Sequence, residues 1–322
     1  MDKKPTSTLW QHSADWSPQQ AVRSEGRAER AVDHIPLLPG VKGAAVRVGL
    51  ALLDRADLLW RLNFSVRGNW LGQPVTIPLV FGNGIQHLQS SERWMFDVLR
   101  KLLAQTAGAF VDVGANIGQT LLKVKMADGN RPYYGFEPNP AAVAYLQQLA
   151  LRNSFTNVTV FPVGLSDHTA VVTLFLKDEV DPSASVVAGF RRRERYSMAR
   201  GASVHRGDDV LGGIADLRIG ILKIDVEGAE LDVIAGLAQT ISRDRPFIIC
   251  EVLPVYDPLS EPGQLRMSRQ RALSALLATL HYDVYRANGD GAWEKIGEFA
   301  VDSDITRSNY LFVPAGRSAI DL

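Results

Sequence analysis

The 322-residue chain contains very little cysteine and no excess of either charge. Cys250 is its only cysteine, which excludes a disulfide framework and a zinc site built on cysteine and is typical of a reducing cytoplasm. Its 35 basic and 35 acidic residues cancel, whereas a general nucleic-acid-binding protein usually carries a basic excess. We therefore expect a cytoplasmic protein whose partners do not include nucleic acid.

Long apolar runs are also lacking. No window of the sequence approaches the roughly 20 apolar residues that a membrane-spanning helix needs. The chain opens with the polar residues Met1–Pro5 and not with the apolar stretch of a secretory signal. We expect no membrane span, and the composition is compatible with a homo-oligomer.

Residues 1–88 differ in pattern from the rest of the chain, and we expect them to form an N-terminal extension. Its first part is rich in polar residues, which predicts a partly flexible segment. Apolar residues then recur at helical spacing from Val46 to Leu62, which predicts an amphipathic helix. From Gln73 to Phe81 they alternate around two prolines, which confines this segment to an edge strand or a turn.

From residue 89 to residue 316 the pattern becomes regular, and we expect one domain there. Short apolar runs alternate with helical segments, which is typical of an open, doubly wound α/β sheet. The predicted strands are Ala109–Val113, Pro132–Glu137, Val158–Val163, Val171–Leu176, Ile219–Val226 and Pro246–Val252. The predicted helices are Glu92–Leu103, Gln119–Met126, Pro140–Arg152, Glu230–Ile241 and Ser268–Leu280. Residues 178–209 are predicted to be irregular, and the tail runs Tyr282–Arg286 and Asn309–Pro314 to pair antiparallel.

A Gly-rich turn follows the first strand of this domain and leads into a helix. Gly114 and Gly118 allow the backbone to approach a ligand closely, and the amides of the following helix favour an anionic group. The glycine spacing differs from the G-x-G-x-x-G of dinucleotide-binding folds, and a tight turn without a ligand is the alternative explanation. The residues of this segment that we expect to bind a cofactor are Asp112, Gly114, Ala115, Asn116, Gly118 and Thr120.

The ends of the next two strands carry further candidates for cofactor binding. Glu137 follows the second strand, where a carboxylate can accept hydrogen bonds from both hydroxyls of a ribose. An acid at this position also suits a helix cap, and it supports nucleoside binding in general rather than one cofactor. Gly164 and Leu165 follow the third strand, at a position suited to lining an adenine.

Three segments together resemble the FkbM-type methyltransferase family: Phe110–Gly118, Phe136–Pro140 and Lys223–Glu230. The resemblance is good over about residues 90–253, loose in the tail and hardly present in the first 85 residues. It implies a seven-stranded, Rossmann-like methyltransferase sheet with an antiparallel C-terminal strand, and S-adenosylmethionine as the methyl donor. It also implies transfer to an oxygen, so that the expected acceptor is a small molecule or glycan of the sugar, glycolipid or polyketide type.

An alcohol is a poor nucleophile near neutral pH, so a hydroxyl acceptor needs a general base or a metal ion. Asp225, at the carboxyl end of the fourth main strand, is the first candidate for a role beside the reactive methyl group, either as base or as orienter of the acceptor. It is also a candidate for cofactor binding. Glu227 and Glu251 come next, although Glu227 is equally well explained as a helix cap. His205 is a further candidate base, although a lone histidine is more often structural. The three acids would also suit a divalent metal, an alternative that we do not favour because no histidine is placed beside them.

The irregular stretch before the fourth strand is predicted to be a lid over the acceptor. Its arginine run, Arg191–Arg195, either holds a phosphate or carboxylate of the acceptor or forms a solvated helix face. Other functions stay open from the residues alone. They are methylation of an amine or a carboxylate, a nicotinamide-dependent oxidoreductase, and a non-catalytic cofactor-binding scaffold.

Overall fold

The computed structural model describes residues 40–317, apart from 57, 71, 89–91, 179–180, 182, 192–195, 289–292 and 300–303. Its strands are β1 (Asn63–Trp70), β2 (Gln73–Val80), β3 (Ala109–Val113), β4 (Tyr133–Phe136), β5 (Val158–Phe161), β6 (Gly164–Ser166), β7 (Ala170–Leu176), β8 (Met198–Arg206), β9 (Ile219–Ile224), β10 (Phe247–Glu251), β11 (Tyr282–Ala287), β12 (Trp293–Ile296) and β13 (Asn309–Pro314). Its helices are α1 (Gly40–Arg55), α2 (Ile85–Leu88), α3 (Arg93–Gln105), α4 (Gln119–Ala127), α5 (Pro140–Arg152), α6 (Gly207–Gly212), α7 (Glu230–Gly236), α8 (Ala238–Asp244) and α9 (Glu261–Thr279). The predicted flexible start of the extension and residues 192–195 of the arginine run lie outside the described residues.

The central sheet has the strand order β12-β11-β13-β10-β9-β3-β4-β5. The strands β10, β9, β3, β4 and β5 are parallel, and β13 is antiparallel to both of its neighbours. This arrangement confirms the predicted doubly wound sheet with an antiparallel C-terminal strand. The short and mostly polar strand β12 is not predicted from the sequence, and it adds an eighth strand at one edge.

Helices cover both faces of the sheet, because alternate side chains of its apolar strands point in opposite directions. Phe110 packs in a core with Leu99 of α3, on the face that also carries α4 and α5. The next residue, Val111, packs in a second core with Val233 of α7, on the face of α6 to α9. All residues of β3 and β9 are buried, as expected for central strands with a helical layer on each side.

A second sheet of three strands is ordered β6-β8-β7, and one of them, β8, lies within the predicted irregular stretch. The sequence predicts β7 but is wrong about β8, which pairs antiparallel with β7 and parallel with β6. The reason is composition, since β8 is built largely from small and polar residues and buries only Ala202 and Val204. Strands with one solvent-facing side and few apolar residues give a weak alternating pattern.

The N-terminal extension is not only helical. The helix predicted over 46–62 instead runs from Gly40 to Arg55 and is followed by a 3-10 turn at Leu59–Arg61. Two antiparallel strands then form a hairpin, in which β2 is the expected proline-bearing edge strand and β1 is an addition. Ile77 and Leu79 of β2 share a core with residues of α4 and α5, so the extension packs on the main domain.

Two helices differ from their predicted bounds. The predicted helix 230–241 divides at Leu237 into α7 and α8. The helix α9 begins seven residues before its predicted start, because Ser260 caps it by accepting a hydrogen bond from the amide of Gly263. Among the described residues, no helix has both the length and the apolar character needed to cross a bilayer.

Candidate active site

A cavity of about 390 Å³ lies at the carboxyl edge of the parallel strands, within the size range of small-molecule sites. The loops after β3, β4, β9 and β10 contribute to its lining, which is where open α/β sheets bind ligands. Most of the predicted site residues line it: Gly114, Ala115, Asn116, Thr120, Glu137, Gly164, Leu165, Asp225, Glu227 and Glu251. Asp112, Gly118 and His205 do not belong to this lining.

The Gly-rich turn joins the first strand of the sheet to α4 and touches the loop after β9. Gly114 has a φ of +83°, and a Cβ atom built on it would lie 1.8 Å from the carbonyl oxygen of Asp225. The Asp225 amide donates to the carbonyl oxygen of Val113 at 3.0 Å. Gly118, with a φ of +87°, ends the turn and precedes the first residue of α4. The helix therefore starts at the cavity, where its free amides favour a negatively charged group.

Glu137 is held in place by the backbone around it. Its two carboxylate oxygens accept hydrogen bonds from the amides of Asn116 at 2.9 Å and Asn139 at 2.8 Å. Burial raises the pKa of Glu137 to about 7, although the hydrogen bonds from these two amides lower it. Each carboxylate oxygen can accept more than one hydrogen bond, so both stay available to ribose hydroxyls. This carboxylate, the close-approach glycines and the size of the cavity fit a nucleoside-containing cofactor.

Asp112 lies beneath the cavity and not in its wall. Its fully buried carboxylate accepts a hydrogen bond from the hydroxyl of Tyr133 at 2.5 Å and lies 3.5 Å from the Nζ atom of Lys223. Burial raises the pKa of Asp112, and the Lys223 ammonium opposes that shift. The contact of Asp112 with the cavity is thus indirect and runs through its neighbours.

Lys223 is a site residue that the sequence analysis missed. Its Nζ atom donates to Asp225 at 3.1 Å and also faces Asp112, while the side chain itself is almost fully buried. Burial would lower the pKa of Lys223, but Asp225 and Asp112 together raise it above its ordinary value. The available signal was a lysine inside the otherwise apolar strand Ile219–Ile224, because a buried lysine needs a charged partner.

The carboxyl groups of Glu227 and Glu251 complete this end of the cavity. Glu227 forms an ion pair with Arg191, and its carbonyl oxygen accepts a hydrogen bond from the hydroxyl of Ser185. Glu251 accepts a hydrogen bond from the hydroxyl of Ser308 at 2.9 Å. Burial and the nearby Asp225 raise the pKa of Glu227 to about 7 and that of Glu251 to about 8. Carboxyl groups that titrate near neutral pH are suited to general acid–base work.

Two features of this end could not have been found from local sequence. Ser308 reaches the site from the segment before the last strand, far from Glu251 in the chain. Arg191 comes from the predicted lid and is the described residue of the arginine run.

His205 lies on β8, where its Nε2 atom is 3.1 Å from the hydroxyl of Ser203. No group of three or more histidine, cysteine or acidic side chains in the described part of the chain is arranged to hold a metal ion.

A family model for the methyltransferase FkbM domain matches residues 112–272, which is half of the chain. The chain belongs to the FkbM methyltransferase family. The match includes the Gly-rich turn, Glu137 and the three carboxylates after β9 and β10. It confirms the predicted family and fold class, and with them S-adenosylmethionine as the cofactor. It favours the methyltransferase interpretation over the oxidoreductase one.

Individual relatives are distant. The chain is 28% identical over 142 residues to methyltransferase 1 of Beauveria bassiana, an alignment that covers 39% of this chain and 57% of that protein. It is 25% identical over 182 residues to the 2-O-methyltransferase NoeI of Sinorhizobium fredii, covering 53% and 73%. The crystal structure of a methyltransferase FkbM from Methylobacillus flagellatus aligns with a TM-score of 0.40 and 18% identity, covering 64% of this chain and 43% of that one. The chain therefore spans little more than half the length of the Beauveria protein.

Proposed function

We propose that the chain transfers the methyl group of S-adenosylmethionine to a hydroxyl oxygen of a small molecule or glycan. The observation that carries the proposal is the order of the strand ends along one cavity. Glu137 follows β4, the Gly-rich turn follows β3, and Asp225 and Glu251 lie at the ends of β9 and β10. Neighbouring strands are about 4.8 Å apart, so across the sheet Glu137 lies roughly 10 Å from Asp225 and roughly 14 Å from Glu251.

The residues at the β3–β4 end are those that we assign to the cofactor. Glu137 accepts the ribose hydroxyls, Gly164 and Leu165 lie beside the base, and the turn with the start of α4 receives the carboxylate of the methionine part. When bound, S-adenosylmethionine supplies an electrophilic methyl group on a sulfonium centre. Removal of the Glu137 carboxylate should therefore weaken nucleoside binding without changing the acidic end.

The residues at the β9–β10 end are those that we assign to the acceptor. Lys223 holds the Asp225 carboxylate by an ion pair, so this side chain is fixed as base or as orienter of the hydroxyl. Glu227 and Glu251 titrate near neutral pH, and a carboxyl group of this kind can take the proton of a hydroxyl and return it to water. The name of the Sinorhizobium fredii relative, a 2-O-methyltransferase, supports an oxygen rather than a nitrogen acceptor. The single cysteine supports a cytoplasmic location.

The first test is isothermal titration calorimetry with S-adenosylmethionine, S-adenosylhomocysteine and NADH. We expect micromolar binding of the first two and loss of that binding in Glu137→Ala. Glu298→Ala is the matched control, since this exposed acid lies just beyond the edge strand β12, at the other side of the sheet. Binding of NADH alone would favour an oxidoreductase, and binding of none of the three would refute the assignment of the cavity.

The second test separates binding from transfer. We expect Asp225→Asn to abolish methyl transfer in a screen of sugar-bearing acceptors with labelled S-adenosylmethionine, because the variant can neither accept the proton nor orient the hydroxyl in the same way. Its affinity for S-adenosylhomocysteine should stay within about tenfold of the wild type if the chief role of Asp225 is in transfer. A fully active variant would remove Asp225 from the site. Product formed only with amine acceptors would contradict the oxygen assignment.

A further inference from the structure

A second cavity of about 220 Å³ lies next to the acidic end of the first one. It is lined by Arg191, Tyr256, Asp257, Ser260, Gly263 and Arg266, among others. Arg191 connects the two spaces, because it lines this cavity while its ion-pair partner Glu227 lines the first. The second cavity therefore adjoins the place where the proposed acceptor lies.

Arg266 is a buried cation held by backbone and aromatic contacts. Only 7% of the residue is exposed, and its guanidinium lies over the rings of Phe190 and Tyr256 at 4.7 and 5.2 Å. Its terminal nitrogens donate to the carbonyl oxygens of Pro254 at 2.8 Å and Phe190 at 3.1 Å, and no described carboxylate forms an ion pair with it. Burial and the nearby charge of Arg191 both lower the pKa of Arg266. A buried charge of this kind is normally paired, so its surroundings favour an anion.

Arg191 adds a second cation that is only partly satisfied. One terminal nitrogen pairs with Glu227, and its Nε atom is buried without a hydrogen-bond partner among the described residues. The two guanidinium groups thus share one buried carboxylate. Asp257 also lines the cavity, but it is exposed and its carboxylate accepts a hydrogen bond from the amide of Leu259. Its charge is therefore largely screened by water, so Glu227 is the one buried carboxylate that faces the two guanidinium groups among the described residues.

We propose that this cavity binds an anionic group, a phosphate or a carboxylate, carried by the methyl acceptor. The inference rests on the proposed function, since it adds a substrate class to the same site. Guanidinium groups recognise planar and tetrahedral oxyanions through paired hydrogen bonds, and Arg191 and Arg266 present two of them on one cavity. An anion bound there places the rest of the acceptor beside Glu227 and Asp225.

The test uses the full chain and three sugar probes. Glucose 1-phosphate, glucuronate and glucose are titrated by calorimetry in the presence of saturating S-adenosylhomocysteine. At least one anionic sugar should bind saturably and about tenfold or more tightly than glucose, because a charge-assisted hydrogen bond is roughly twice as strong as a neutral one. A preference between the first two probes distinguishes a phosphate from a carboxylate. Equal or absent binding of all three sugars would overturn the inference.

Variants of the two arginines test whether the anionic sugar binds in this cavity. Arg266→Gln and Arg191→Gln should each weaken binding of the anionic sugar about tenfold or more. Arg271→Gln, an exposed arginine on the same helix, makes the same change of charge and should leave binding within about twofold. Should Arg266→Gln fail to fold, Arg191→Gln decides, and unchanged binding in a folded variant would refute the site. Failure of the wild type to bind S-adenosylhomocysteine would instead refute the proposed function, which the sugar titrations do not test.

Discussion

At the scale of single residues, one lysine links a buried acid of the central strand to the acidic end of the cavity. Lys223 lies between Asp112, which is fully buried, and Asp225, which lines the cavity. A buried carboxylate without a charged partner destabilises the folded state. The ammonium of Lys223 therefore offsets the free-energy cost of burying Asp112 in the central strand. The same ammonium fixes Asp225. Part of the acidic end is thus positioned by charges that the cavity itself does not expose.

The two glycines of the turn should differ sharply when each is replaced by alanine. A Cβ atom on Gly114 would meet the Asp225 carbonyl oxygen at 1.8 Å, which only a backbone shift can relieve. A Cβ atom on Gly118 would lie 3.1 Å from the Cδ2 atom of Leu149 and 3.2 Å from the Cγ atom of Leu146, and shifts of a few tenths of an ångström in these side chains relieve both contacts. Both positions have positive φ, so each variant carries the strain of that conformation, about 1–2 kcal/mol.

We therefore expect Gly114→Ala to lose measurable S-adenosylhomocysteine binding by calorimetry, and Gly118→Ala to retain it with a lower melting temperature. The matched pair separates a steric clash from backbone strain, because only the first variant displaces the loop of Asp225. Equal affinities in the two variants would contradict this account of the turn.

The sequence predicts which side chains line the cavity where a strand end places them. Glu137, Asp225 and Glu251 follow parallel strands, whose carboxyl ends meet at one edge, and all three line the cavity. Asp112 is one residue short of such an end, so its side chain points into a helical layer and not beyond the strand. Ser308 and the pair of Arg191 with Glu227 depend on tertiary packing, which no local pattern encodes.

At the scale of elements, the same distinction separates the strands that the sequence predicts from those it misses. The apolar strands β3, β9 and β10 are covered on both faces and give continuous apolar runs. Of the missed strands, β1, β8 and β12 have exposed sides and many polar residues, so their pattern resembles that of loops. The missed β6 is buried, but it is only three residues long. Their positions are determined by the partners they pair with rather than by their own composition.

Two side chains bond the hairpin of the extension to α5: Tyr145 donates to the carbonyl oxygen of Pro78 at 2.7 Å, and Asn153, the residue after the helix, pairs with the backbone of β2 as a neighbouring strand would. The side-chain amide of Asn153 donates to the carbonyl oxygen of Thr76 and its oxygen accepts from the Thr76 amide, both at 2.7 Å. Thr76 lies on β2, whose only strand partner among the described residues is β1. Asn153 therefore satisfies backbone groups that an edge strand would otherwise leave unpaired.

We expect Asn153→Ala to lower the free energy of unfolding by about 1–3 kcal/mol, because two partly buried backbone groups lose their partners. Urea denaturation measures the loss, and hydrogen exchange should show faster exchange at the amide of Thr76. Gln148→Ala, an exposed position on the same helix, is the control and should change neither value. Unchanged protection of Thr76 in Asn153→Ala would show that the hairpin is held by its apolar contacts and the Tyr145 hydrogen bond without Asn153.

At the scale of the whole molecule, the site lies where the strand order reverses. From β3 the chain builds outward through β4 and β5, and it then returns to the other side of β3 to place β9 and β10. The cofactor end and the acidic end thus belong to the two halves of the sheet, on either side of this reversal. The alternating pattern predicts such a sheet, but only the family resemblance predicts its function.

This architecture buries acids, and the stability of the whole molecule should therefore depend on pH. The pKa is raised from an ordinary 4.5 to about 7 for Glu137, Glu227 and Glu230, and to about 8 for Glu251, with burial as the largest cause in each case. Between the ordinary and the raised value the folded state binds more protons than the unfolded state. The stabilisation is complete below pH 4.5 and is lost as the pH rises through 7 to 8.

His87 acts in the opposite direction only at lower pH. Burial lowers its pKa from 6.5 to about 4, so the folded state binds fewer protons than the unfolded state between these two values. Above pH 6.5 this effect ends and the buried acids alone determine the slope. We expect the free energy of unfolding without cofactor to fall by roughly 2–4 kcal/mol from pH 6.5 to 8.5, since each group contributes up to about 1.4 kcal/mol per pH unit.

Urea denaturation at the two pH values measures this fall. Glu251→Gln should reduce it most, because the replaced group is the one that still holds its proton at pH 7.5, whereas Glu298→Gln at an exposed position should leave it unchanged. Stability that is equal or greater at pH 8.5, or the same fall in Glu251→Gln as in the wild type, would mean that these acids are already ionised in the folded chain. The acidic end would then carry negative charge at neutral pH, and its carboxylates would act as bases rather than as proton donors.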